Sequence, residues 1–148
     1  MCGLAGFRSL IRIKADYNKI LNKISHRGPD SQNFINIDEK KNHLFFGFSR
    51  LSIQDQNKRS NQPFIFKNLI LCFNGEIYNF KEIKNLLKKE KIKFETSSDT
   101  EVLICLIQAY GVHSALKKIN GMLDAKFSKD GLELGPSICC AELTARED

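Results

Sequence analysis

The sequence predicts an α+β domain. Short apolar runs follow one another across brief turns, as antiparallel strands do, and segments with 3.6-residue apolar spacing are interleaved with them. Nothing in the sequence resembles a βαβ dinucleotide unit or a P-loop. With 148 residues, 42% hydrophobic and 27% charged, the chain can enclose one core.

The elements follow in order. Residues 3–7 alternate small and apolar side chains and predict a first strand that holds Cys2 at a sheet end, with glycines giving close backbone access. Across residues 16–25, Tyr17, Ile20, Leu21 and Ile24 recur at helical spacing. Gly28-Pro29 breaks that helix. Residues 34–37 predict a short strand and 38–42 a polar turn. A further strand spans 43–51, with Leu44, Phe46 and Phe48 on one face and Arg50 in line after them. Residues 52–62 read as a polar loop, and 63–66 and 69–73 as strands about a Lys67-Asn68 turn. Asn74-Gly75 predicts a tight turn with positive φ. Phe80, Ile83 and Leu87 mark a helix whose start pairs Asn79 with Glu82 as caps. Residues 92–94 predict a short strand. Ser98-Asp99-Thr100-Glu101 opens an apolar helix over 100–110 that Gly111 closes, and a short helix follows over 112–119.

The net charge of +6 raises the prospect of a basic nucleic-acid-binding module. The lysines are scattered, however, and their one dense run, Lys81 to Lys93, lies on an amphipathic helix, where charge marks a solvated face. No apolar run reaches the ~18 residues of a membrane span, and the first residues carry no signal-peptide pattern, so the expected compartment is the cytoplasm. There are five cysteines. Cys2, Cys72 and Cys105 lack metal-type spacing, and Cys72 and Cys105 sit in apolar runs as small buried hydrophobes. Cys139 and Cys140 are adjacent and unsuited to a structural staple.

Cys2 follows the initiator methionine directly. If Met1 is removed, one residue carries both a thiol and a free α-amino group. That amine has an ordinary pKa near ~8 and can serve as the base that activates its own side chain.

Five stretches then fall in one order: Met1-Cys2-Gly3-Leu4-Ala5-Gly6, His26-Arg27-Gly28-Pro29-Asp30-Ser31, Gly47-Phe48-Ser49-Arg50-Leu51-Ser52-Ile53, Asn74-Gly75-Glu76-Ile77-Tyr78-Asn79 and Ser98-Asp99-Thr100-Glu101. Together they resemble the glutaminase domain of glutamine-hydrolysing asparagine synthetases, a class II glutamine amidotransferase of the N-terminal nucleophile hydrolase type. The resemblance implies a four-layer αββα sandwich and hydrolysis of glutamine to glutamate and ammonia. It also implies a synthetase partner to receive the ammonia.

The resemblance makes Cys2 the nucleophile, with Asn74 and Gly75 as the oxyanion hole; read alone, Asn74-Gly75 is a hairpin turn. Arg50 corresponds to the residue that grips the substrate α-carboxylate, a role that suits a guanidinium fork. Glu76 and Asp99 correspond to the acids that receive the α-ammonium, and Asp99 also stands at a helix start, where a cap is the plainer reading. Leu51 and Ile53 line the same pocket. Arg27 and Asp30 shape the site, His26 is structural, and His43 and His113 have no motif partner.

The chain departs from the family after Met122. There the family continues with Phe-Ala-Phe and further strands, whereas this chain reads Leu123-Asp124-Ala125-Lys126-Phe127. The expected organisation is an incomplete amidotransferase domain over residues 2–122, its C-terminal strands missing. A divergent tail over 123–148 is read as foreign or frameshifted sequence, or as a variant ending. ATP and magnesium are expected only in a synthetase domain, of which no Ser-Gly-Gly loop is seen. Two alternatives stay open: an amidotransferase of the same type acting on a surface sugar or peptide, and a non-catalytic remnant that binds a partner.

Overall fold

The computed structural model describes residues 2–39, 42–52 and 57–129. In chain order its elements are β1 (Gly3–Ser9), α1 (Tyr17–Ile24), β2 (Ser31–Glu39), β3 (Asn42–Arg50), β4 (Phe64–Phe66), β5 (Leu69–Ile77), α2 (Phe80–Lys89), α3 (Asp99–Leu116) and β6 (Gly121–Lys129). Short 3₁₀ turns lie at Ser25–Arg27 and Lys58–Ser60.

Two runs are apolar on both faces, and each becomes the middle strand of a sheet, where both faces are covered. β3 lies between β1 and β2, and β5 lies between β4 and β6; every pairing is antiparallel. The two sheets pack face to face through Leu44, Phe46 and Phe48 of β3 against Ile70 and Cys72 of β5. Each large side chain sealed there contributes roughly 1.5–3 kcal/mol.

The outer faces carry the helices. On the first sheet, Tyr17 of α1 stacks on Phe45 at 4.9 Å, and Phe7 stacks on the same ring at 5.5 Å. On the second, Leu69, Leu71, Phe73 and Leu123 pack with Ile83 and Leu87 of α2 and with Val102 to Ile107 of α3. Val102 to Ile107 of α3 are apolar all round because that part of the helix is covered all round. The order is helix, sheet, sheet, helices: the expected αββα sandwich.

Gly111, at φ 74° and ψ 164°, kinks α3 into the two helical pieces expected from the sequence. A Cβ there would meet nothing within 4 Å, so the backbone conformation alone calls for glycine.

Some local expectations change. Asn74-Gly75 is not a turn: β5 runs straight through it, pairing Asn74 with Asp124 and Gly75 with Leu123. Its glycine permits close approach instead, since a Cβ on Gly75 would stand 2.1 Å from the Met122 carbonyl oxygen. Residues 92–94 form no strand; Ile92 and Phe94 pack on the helix cluster, and Ile92 N donates to Leu87 O at 3.1 Å. Asn79 makes no side-chain cap for α2. Its amide instead donates to Lys118 O and accepts from Asn120 N, both at 2.9 Å, tying α2 to the start of β6. β2 is nine residues long rather than four, because it pairs with β3 along its whole length, from Ser31 opposite Arg50 to Glu39 opposite Asn42. β6 crosses the boundary expected at residue 122 and pairs with β5 as far as Lys129. The rest of the expected tail, residues 130–148 with Cys139 and Cys140, lies outside the described residues.

Candidate active site

Cys2 stands one residue before β1, and Gly3 pairs with Ser49, so the register brings the cysteine to the end of β3. Leu51 N donates to Cys2 Sγ at 3.3 Å, and the thiol donates to Leu51 O at 3.6 Å. The loop before β2 presses on this corner. A Cβ on Gly28 would lie 2.1 Å from Ser49 O, so only glycine lets the loop come so near. From that loop Arg27 Nε donates to Cys2 O at 3.1 Å. Asp30 brackets the segment that holds the Cys2 sulfur: its N–H donates to Arg50 O at 3.0 Å, and its carboxylate accepts from Ser52 N at 2.6 Å. Arg27 and Asp30 thus shape the site, and His26 is exposed beside it.

The second sheet supplies the opposite wall. Cys2 N donates to Asn74 Oδ1 at 2.9 Å. With Oδ1 engaged as acceptor, Nδ2 is the donor that the Asn74 amide has left to offer. Alternate N–H groups of a strand point to the same edge. On β5 those of Phe73, Gly75 and Ile77 share one edge; Phe73 N donates to Gln62 Oε1 at 2.5 Å and Ile77 N to Asp99 Oδ2 at 3.3 Å. The Gly75 N–H falls between them, on the side where a cavity opens.

That cavity has a volume of about 270 Å³ and is lined by Cys2, Arg50, Leu51, Gln62, Asn74, Gly75, Glu76, Asp99 and Met122, among others. It is slightly smaller than typical drug-sized sites. One cation and two carboxylates share its wall, an arrangement complementary to a free amino acid's zwitterionic end. Arg50 is 7% exposed, and its Nη1 donates to Asn61 Oδ1 at 2.7 Å and to Asn57 O at 3.1 Å. Asp99 opens α3, where Ser98 is the N-cap and accepts from Thr100 N at 3.1 Å. Burial pushes the Asp99 carboxyl up to about 6; N–H groups from Ile77, Thr100 and its own backbone pull the other way, and the charge of Glu76 adds to the rise.

The sequence-predicted residues Cys2, Arg50, Leu51, Asn74, Gly75, Glu76 and Asp99 therefore meet in one place. Ile53 lies outside the described residues. The other described cysteines are buried: burial raises the Cys105 thiol to about 12 and pushes Cys72 higher still, so Cys2 is the thiol suited to chemistry. Glu101 does not cap its own helix; it accepts from Glu95 N, Thr96 N and Thr96 Oγ1 and so fixes the approach to Asp99. Among the described residues no cluster of three or more His, Cys, Asp or Glu could hold a metal ion, and no helix is long and apolar enough to cross a membrane.

Two residues escaped the sequence reading. Gln62, 6% exposed, pairs with the Phe73 backbone as a strand would, its Nε2 donating to Phe73 O at 3.0 Å and to Thr100 Oγ1 at 3.3 Å. Asn61 holds Arg50. Their only signal was a pair of amides directly before Pro63, inside a stretch whose polarity reads as loop.

Known proteins agree with this geometry. The chain is 36% identical over 130 residues to the glutamine-hydrolysing asparagine synthetase 1 of Bacillus subtilis, covering 82% of this chain and 20% of that protein. It is 38% identical over 103 residues to the asparagine synthetase of Gallus gallus, covering 68% and 18%. The chain thus spans about a fifth of the length of these relatives. Among solved structures, the glutamine phosphoribosylpyrophosphate amidotransferase of B. subtilis superposes with a TM-score of 0.61 over 87% of this chain and 35% of its own, at 21% identity, a likeness of fold. The fold is that of the N-terminal nucleophile amidotransferases. A family model described as the glutamine amidotransferase domain matches residues 1–127, a span that takes in every described element but the end of β6, and the chain belongs to that family.

Proposed function

We propose that this chain hydrolyses L-glutamine and passes the ammonia to a synthetase, as the glutaminase part of a glutamine-hydrolysing asparagine synthetase. The observation that carries the proposal is the double hold on Cys2: its sulfur lies 3.3 Å from Leu51 N on one sheet, and its nitrogen lies 2.9 Å from Asn74 Oδ1 on the other.

Removal of Met1 turns that nitrogen into a primary amine. The amine takes the thiol proton, directly or through a water, and the sulfur attacks the side-chain carbonyl carbon of glutamine. The carbonyl oxygen becomes an oxyanion, met by Asn74 Nδ2 and Gly75 N–H. As the C–N bond breaks, the proton held by the amine passes to the leaving nitrogen, and ammonia departs from a Cys2 thioester. Water activated by the same amine cleaves the thioester, giving glutamate and the free thiol. Arg50 grips the α-carboxylate, while Asp99 and Glu76 receive the α-ammonium, so the site selects a free amino acid over an amide within a peptide.

The ammonia acceptor is aspartate, activated by a synthetase part that uses ATP and magnesium. The names of the curated relatives support that choice. Cytoplasm is the proposed compartment, in keeping with unpaired buried cysteines.

The test is glutamate release from glutamine by the purified chain, its N-terminus checked by intact mass. The parent turns over, and Cys2→Ala loses at least about 10³-fold. A folded chain with a free N-terminal Cys2 and no turnover above the Cys2→Ala level overturns the proposal.

A further inference from the structure

We infer that Asn61 is a positioning residue that sets the Arg50 guanidinium for the substrate α-carboxylate without neutralising it; this rests on the function proposed above. Both Nη1 hydrogens of Arg50 are taken by the segment before β4, at 2.7 Å by Asn61 Oδ1 and at 3.1 Å by Asn57 O. Two acceptors on one nitrogen fix the rotation of a planar group, because all five N–H vectors of a guanidinium lie in one plane. Both acceptors are uncharged amide oxygens. A carboxylate in the place of Asn61 would orient the guanidinium equally well, but its charge would compete with the ligand's.

Asn61 is itself held firmly. Its N–H donates to Lys58 O at 3.0 Å, and Ser31 Oγ donates to its side-chain oxygen at 3.4 Å. The next residue, Gln62, is locked to β5 at Phe73. Adjacent amides thus serve two parts of one site: Gln62 secures the strand that carries Asn74, and Asn61 secures the cation opposite.

The test measures binding by calorimetry in a Cys2→Ala background, which removes turnover. Three ligands separate the contacts: glutamine, its analogue without the α-amino group (glutaramate) and its analogue without the α-carboxylate (4-aminobutanamide). Asn61→Ala should weaken glutamine and glutaramate by about tenfold. The near-isosteric Asn61→Asp should weaken both at least as much, and neither change should alter the affinity of 4-aminobutanamide by more than about twofold. Equal losses on all three ligands, or no loss on any, overturn the inference. If Asn61→Ala fails to fold, Asn61→Asp decides alone, since undiminished glutamine affinity in that variant is equally fatal. Arg50→Ala tells the two readings apart. A loss confined to the carboxylate ligands in Arg50→Ala but absent from the Asn61 variants sinks this inference only. No loss in Arg50→Ala, or a parent that binds no glutamine, sinks the proposed function as well.

Discussion

In the function proposed above, Asn74 has two jobs at opposite ends of one amide: its oxygen holds Cys2 N, and its nitrogen is left for the developing oxyanion. Asn74→Ala should therefore lower kcat for glutamine about 10²–10³-fold, with KM changed far less, because an oxyanion donor acts in the transition state. Steady-state glutamate release measures both constants. Asp99 makes a different kind of contribution. Burial raises its folded carboxyl from the ordinary 3.8 to about 6, so between those values the native state holds more protons than the unfolded chain. Stability then falls as pH rises through that window, and at neutral pH the buried charge costs up to about 3 kcal/mol. An ammonium brought beside it relieves that cost. KM for glutamine should accordingly rise about fivefold from pH 6 to pH 5 as Asp99 takes up its proton. Asp99→Asn should show a high KM that is flat over this range, together with a melting temperature at pH 7 above that of the parent.

At the scale of elements, β5 is organised by what touches its free edge beyond β4. Gln62 supplies both a donor and an acceptor to Phe73, so Gln62→Met, similar in shape but unable to pair, strands two buried backbone groups. The expected loss is about 2–4 kcal/mol in urea unfolding, with an unchanged m-value. This element also shows where sequence reading succeeds and where it stops. The runs of β3 and β5 are legible because a strand covered on both faces must be apolar throughout. The helices are legible from Tyr17, Leu21, Ile83 and Leu87 at their proper spacing. Asn74-Gly75 misleads because its local chemistry favours a turn, while β6, paired with it across 49 residues of chain, imposes an extended strand. Ile92 and Phe94 mislead in the same way: they have strand character but no neighbouring strand to join.

Over the whole molecule, the site lies where the ends of two sheets meet, and no one segment contains it. Cys2 and Arg50 come from the first sheet, Asn74, Gly75 and Glu76 from the second, and Asp99 from a helix behind the second. Four of the five short motifs could list these residues in the sequence, because each motif is local. The members that hold them, Asn61 and Gln62, were not legible, since their partners at Arg50, Phe73 and Thr100 are distant in sequence and their type is that of any loop. The core between the sheets is apolar, through Phe46, Phe48 and Ile70, whereas at the site a polar contact spans them, from Cys2 N to the Asn74 amide oxygen.

That contact makes turnover a gauge of how tightly two slabs are clasped. A slip of one ångström along the seam parts attacker from acceptor while each slab keeps its own ladder of hydrogen bonds. In rising urea, glutaminase activity should fade well before far-ultraviolet circular dichroism changes, and coincident curves would show that the halves let go of each other only when both dissolve.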